Sequence, residues 1–161
     1  MTVASRIEEV RSEIDARFRS AGSAPELMRT MVKLLHERML KYNWVGFYML
    51  EPGTEPPVLV LGAFEGAMTP HTRIPLNQGI CGAAASTGRT VVVDDVNKDP
   101  RYLACSLETK SEIVVPVFVR GKVVGELDID SHFAAAFTEE HQALVKYCAE
   151  LVGKKLEAET H

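Results

Sequence analysis

Ser111-Glu112-Ile113-Val114-Val115-Pro116-Val117-Phe118-Val119-Arg120-Gly121-Lys122-Val123-Val124-Gly125-Glu126-Leu127-Asp128-Ile129-Asp130-Ser131 decides the fold. Two runs rich in β-branched residues flank Arg120-Gly121, which predicts a hairpin of strands Ser111–Val119 and Lys122–Ser131. Alternation along the second strand sends Val123, Gly125, Leu127 and Ile129 to one face and Glu126, Asp128 and Asp130 to the other. Three carboxylates in a row repel one another, and folding alone does not ask for them. Two readings stay open: a solvated polar face, or a pocket wall whose guests are an ammonium group or a proton held by a raised-pKa acid.

Glu112 joins or leaves this cluster according to the hairpin register. A two-residue turn at Arg120-Gly121 pairs Glu112 with Ile129 and turns it away. A bulged turn with Gly121 in the left-handed region pairs Glu112 with Asp128. The bulged form is favoured, because Arg120 suits positive φ poorly and the bulge gathers the acids.

Outward from the hairpin, Ile7, Val10, Ile14 and Phe18 recur at helical spacing. Ser23-Ala24-Pro25-Glu26 reads as a capping box opening a second helix with Leu27, Met31, Val32, Leu35 and Met39. Met28, Met31 and Met39 read as core packing. Strands are expected from Trp44 to Leu50, Val58 to Ala63, Thr72 to Pro75 and Thr90 to Val93. Gly79 to Thr87 reads as a short helix stopped by Gly88. Asp94 to Cys105 is a long polar connection, and a last helix follows Thr138 with Leu144, Val145, Cys148, Leu151 and Val152 as its stripe. The expected fold is α+β. About six mainly antiparallel strands carry the N- and C-terminal helices on one face. Residues 1–161 form one domain: helices in 1–41, the sheet with inserted short helices in 42–131, and a C-terminal helix in 138–156.

The 161 residues, 46% hydrophobic and 25% charged, suit a soluble globular chain of net charge −4. No basic block or aromatic-basic interleaving offers a nucleic-acid footprint, and no apolar run is long enough for a membrane span. Without an apolar segment near Met1, no secretory signal is expected and the location is expected to be cytoplasmic. Three cysteines in that setting are free, metal ligands or transient redox groups. Cys148 lies on an apolar stripe and reads as a small hydrophobe. Cys81 falls in the first turn of its helix, where the dipole would lower its pKa, or it is a small buried residue beside Gly82, Ala83 and Ala84. Cys105 ends the long loop, and whether it meets Cys81 or stands apart is open. His71 could join Cys81 and Cys105 at a zinc, but no tight ligand spacing supports a metal, and none is expected. No phosphate loop, dinucleotide fingerprint or serine nucleophile elbow is present, so no cofactor is expected.

Asn43-Trp44-Val45-Gly46-Phe47-Tyr48, Arg73-Ile74-Pro75, Gly79-Ile80-Cys81-Gly82, Asp95-Val96, Ala104-Cys105, Ser111 to Pro116 and Gly125 to Ser131 resemble a GAF domain. More narrowly they resemble the free methionine-(R)-sulfoxide reductases, over roughly Tyr42 to Val152. The resemblance implies an oxidoreductase acting on free methionine sulfoxide or a similar small amino acid, with thioredoxin as reductant. It implies Cys105 as the catalytic thiol, oxidised to a sulfenic acid, and Cys81 as a resolving partner. Glu112, Asp128 and Asp130 match acids that bind the amino group and polarise the sulfoxide oxygen. Trp44 matches an aromatic that packs on the substrate methyl, and Tyr48 borders the same pocket.

Three positions depart from the family pattern. His71 stands where another resolving cysteine is usual, and Tyr102 and Ser106 replace a histidine and an aspartate near the catalytic thiol. By the resemblance, any disulfide then joins Cys81 to Cys105. The competing reading is a non-catalytic GAF small-molecule-binding or redox-sensing module. Two such copies could pair through their terminal helices as a homodimer.

Overall fold

A computed structural model describes residues 2–102 and 108–159. Cys105, the expected catalytic thiol, lies outside the described residues. Helix α1, Val3–Ser20, buries Ile7, Val10 and Ile14, one per turn. Helix α2, Ala24–Arg38, starts at Ser23, whose hydroxyl accepts from the Glu26 amide, while the Glu26 carboxylate accepts from the Gly22 amide. That local cap fixes where α2 begins.

Strands β1 (Trp44–Leu50), β2 (Val58–Glu65) and β3 (Arg73–Pro75) precede helix α3, Gly79–Thr87. Strand β4 (Val91–Val93) and a short 3-10 turn (Val96–Lys98) lead to β5 (Ser111–Val119) and β6 (Lys122–Ser131), and α4 (Glu139–Glu159) ends the chain. The six strands form one sheet in the order β3-β2-β1-β6-β5-β4. Every neighbouring pair is antiparallel. The hairpin that decides the fold thus lies inside the sheet, with β6 beside β1 and β5 beside β4. β4 covers only Glu112 to Val114 of β5, leaving Pro116 on an open stretch of edge. A proline there withholds the N–H that another strand would need.

The two faces of the sheet differ. Helices α1, α2 and α4 cover one, and their apolar stripes meet Val45, Phe47, Ile113, Val115, Val117, Leu127 and Ile129. Helix α3 covers the other, where Trp44, Tyr48, Leu59, Ile80, Cys81, Ala84 and Val114 cluster. Gly153 lets α4 close on β5: a methyl there would stand 2.4 Å from the Phe118 carbonyl oxygen.

The hairpin register corrects the expectation. Arg120 and Gly121 form a tight two-residue turn, both at positive φ (50° and 79°), with Val119 opposite Lys122. Such a turn matches the strand twist, and the Glu157 carboxylate supports it by accepting from the Arg120 amide. The irregularity lies further in, between Val117 and Phe118 on β5, where Val124 is the extra residue on β6. One added residue restores the phase, so Glu112 stands opposite Asp130 rather than Asp128 or Ile129. It also moves Val123 off the helix-covered face and into the α3 cluster.

Candidate active site

β6 supplies three acids by alternation and β5 a fourth by the displaced bulge. Glu112, Glu126, Asp128 and Asp130 are all buried, none more than 5% exposed. The solvated-face reading of this strip therefore fails. On β1, Trp44, Gly46 and Tyr48 stand opposite Asp130, Asp128 and Glu126, sharing their face. Gly46 makes room for the indole, since a Cβ there would lie 2.3 Å from Trp44 Cη2. The Trp44 ring stacks on Phe64 at 5.8 Å, and its Nε1–H donates to the Ala67 carbonyl at 3.0 Å. Phe64 drew no notice in the sequence, although a glycine two residues after the tryptophan was a sign that an aromatic ring lies flat over the strand.

Helix α3 lays Cys81 over the acids. Its thiol donates to Asp128 Oδ2 at 3.3 Å. Of the two readings left open for Cys81, a dipole-lowered pKa and a small buried residue, the burial agrees with the second. Burial pushes the Cys81 pKa well up, and the charges of Asp128, Glu126 and Glu112 push it further. Desolvation and three neighbouring carboxyls outweigh one helix end. Cys148 is buried in the helix-covered core, its pKa raised to about 12 chiefly by burial. That is the environment of an inert thiol.

Burial shifts the acids toward their protonated forms. Burial raises the pKa of Glu112, Glu126 and Asp130 well above the usual carboxylate range, and raises that of Asp128. The charge of Asp128 adds to the rise at Glu112, Glu126 and Asp130, while hydrogen bonds from Glu112 and Cys81 partly offset the burial of Asp128. Glu112 lies within hydrogen-bonding reach of both Asp128 and Asp130, which raises its pKa further. Such a nest titrates as a unit rather than residue by residue. Asp128 Oδ1, Asp130 Oδ1 and both Glu126 oxygens have no hydrogen-bond partner among the described residues.

Two cavities open from this face. Tyr48, His71, Ile74, Gly79, Ile80, Cys81, Glu112 and Asp128 enclose about 10 Å³, and the Tyr48 hydroxyl donates across it to the His71 carbonyl at 2.7 Å. A second cavity, about 130 Å³, is bounded by Asn43, Trp44, Thr69, Thr109, Asp130 and His132. Trp44 thus shares a cavity with Asp130, and Tyr48 shares one with Glu112 and Asp128. Thr109 and His132 were not among the expected site residues. His132 lies just beyond the end of β6, the one signal that could have drawn attention to it.

This site lies within a recognisable class of protein. The GAF domain family matches residues 23–156, and the chain belongs to that family. The narrower resemblance read from the sequence also holds. Over 119 residues, 73% of this chain and 69% of the relative, it is 40% identical to the free methionine-R-sulfoxide reductase of Escherichia coli strain K12. The solved free methionine-R-sulfoxide reductase from Neisseria meningitidis, in complex with its substrate, superposes with a TM-score of 0.90 at 35% identity. That match covers 98% of this chain and 92% of the other. A type II free methionine-R-sulfoxide reductase from Thermoplasma acidophilum matches with a TM-score of 0.78 at 41% identity, covering 84% and 93%.

Proposed function

We propose that this chain reduces free L-methionine-(R)-sulfoxide to L-methionine. The observation that carries the proposal is the buried nest of Glu112, Asp128 and Asp130 directly beneath Cys81 and beside Trp44. Water would solvate a polar strip, and an apolar core would reject it. A small zwitterion with a polar sulfoxide oxygen uses both the charge and the protons of such a nest.

The Cys105 thiolate attacks the sulfoxide sulfur, and a protonated carboxyl of the nest hydrogen-bonds the sulfoxide oxygen as general acid. The new sulfur–sulfur bond and the S–O bond then break as the oxygen, carrying the acid's proton, passes to the Cys105 sulfur, so that methionine leaves as the thioether and Cys105 becomes a sulfenic acid. The Cys81 sulfur then attacks that sulfenic sulfur. Its proton passes to Asp128, already the acceptor of the thiol hydrogen bond at 3.3 Å. The S–S bond forms as the sulfenic hydroxyl takes up that proton and departs as water. A dithiol reductant of the thioredoxin kind returns two electrons and restores both thiols. Ionised members of the nest anchor the substrate ammonium, and Trp44 covers the methyl.

The raised pKa of Cys81 fits a resolving thiol better than an attacking one. It stays protonated until a sulfenic acid forms, and then needs the neighbouring carboxylate to release its proton. Single-turnover chemistry with purified protein tests these roles. Cys105→Ser abolishes methionine formation, because a serine hydroxyl ionises far less readily than a thiol. Cys81→Ser gives one equivalent of methionine and then stalls with thioredoxin. Failure of the first turnover in Cys81→Ser alone would reverse the two roles, and full activity in both variants would reject the enzyme.

A further inference from the structure

The 10 Å³ cavity beneath α3 is too small for an amino acid. A space of that size takes about one water-sized body. Three of its walls end in donor atoms of the kind that bind metals. Cys81 Sγ and one carboxylate oxygen each from Glu112 and Asp128 lie within 4.8 Å of one another, all buried. Asp128 is 2% exposed, lines the cavity, and keeps its Oδ1 without a hydrogen-bond partner among the described residues. A tetrahedral zinc, bonded at 2.0–2.3 Å, would space its ligand atoms by roughly 3.3–3.8 Å, so modest side-chain rotations close the shell. Once a divalent ion displaces their protons, two carboxylates and a thiolate carry three negative charges, of which the ion offsets two where water does not reach.

We propose that Cys81, Glu112 and Asp128 form a binding site for one thiophilic divalent cation of the zinc class. The thiolate selects zinc over magnesium or calcium, which prefer oxygen-only shells. Three protein ligands leave a fourth position for water, as in zinc sites that stay open. The consequence for catalysis rests on the reductase reading. A bound zinc holds Cys81 as a ligand and takes two of the carboxylates that would otherwise meet substrate, so metal and substrate exclude each other.

Binding is measured first, without reference to activity, by competing the reduced protein against a chromophoric zinc chelator. The wild type takes up one zinc, and a hundredfold excess of magnesium leaves that uptake unchanged. Cys81→Ser and Asp128→Asn each weaken zinc at least tenfold, with circular dichroism confirming that both variants are folded. Glu112→Gln serves as the third ligand test should either fail to fold. Cobalt gives a near-ultraviolet thiolate charge-transfer band that Cys81→Ser removes and Cys148→Ala keeps. Unchanged zinc affinity in the folded ligand variants overturns the site. So does a cobalt band that survives Cys81→Ser and disappears in Cys105→Ser. Zinc inhibition of methionine formation, relieved by a chelator, extends the site to regulation. Tight binding without inhibition removes the regulatory consequence while leaving the metal site standing.

Discussion

At the scale of single residues, the acid strip was legible because a strand has a period of two, and Glu126, Asp128 and Asp130 keep that phase. The ionisation of Cys81 was not. A first-turn position reports the helix dipole, whereas burial under α3 and three facing carboxyls come from other parts of the chain. Glu126 is the residue whose cost is plainest: it is fully buried, and neither oxygen has a hydrogen-bond partner among the described residues. Its folded pKa is raised, so the native state binds more protons than the unfolded chain. The stability this contributes is fully present below the unfolded carboxylate pKa and is lost as pH rises through the folded value. Glu126→Met, close to isosteric and unable to ionise, is expected to stabilise the unliganded protein at pH 7 by about 1–3 kcal/mol. It should also flatten the fall of stability above pH 4. Urea melts across that range check both, and a destabilised variant would mean that Glu126 has a buried partner such as a water or a cation.

At the scale of elements, every helix and strand expected from periodicity is present, and the errors concern phase. Val123-Val124-Gly125 carries no mark saying which residue is extra, because two valines fit either face of a strand equally well. Only pairing with β5 on one side and β1 on the other decides it, and the whole position of Glu112 depends on that decision. The helix-to-sheet contact at Gly153 is equally hidden. Propensity alone predicts that Gly153→Ala stabilises α4 by roughly 1 kcal/mol. The 2.4 Å approach to the Phe118 carbonyl predicts the opposite sign, a loss of about 1–3 kcal/mol from overpacking. Thermal unfolding of this one variant separates the two, and a raised melting temperature would show that α4 and β5 part without cost.

At the scale of the whole molecule, the sheet divides labour between its faces. One carries the large apolar core under α1, α2 and α4, and the other carries the acids under a single short helix. That arrangement concentrates unfavourable electrostatics where a ligand can relieve them. Free methionine or its sulfoxide is expected to raise the melting temperature, and the N-acetylated forms to do so much less, since they lack the ammonium. Binding to the native state alone contributes about 2.7 kcal/mol at a hundredfold excess over the dissociation constant. Equal stabilisation by both forms would remove the amine anchor from the account. Among the described residues no helix is long and apolar enough to cross a membrane.

Whether this GAF-family chain reduces free methionine-(R)-sulfoxide is decided by one coupled assay. Purified protein, thioredoxin, thioredoxin reductase and NADPH are mixed in turn with free methionine-R-sulfoxide, its S-epimer and N-acetylmethionine sulfoxide. NADPH consumption matched mole for mole by methionine is expected with the free R-epimer, and little with the other two. No turnover with the free R-epimer, alongside ligand-induced stabilisation by the same molecule, would contradict the reductase reading and leave a binding module in its place.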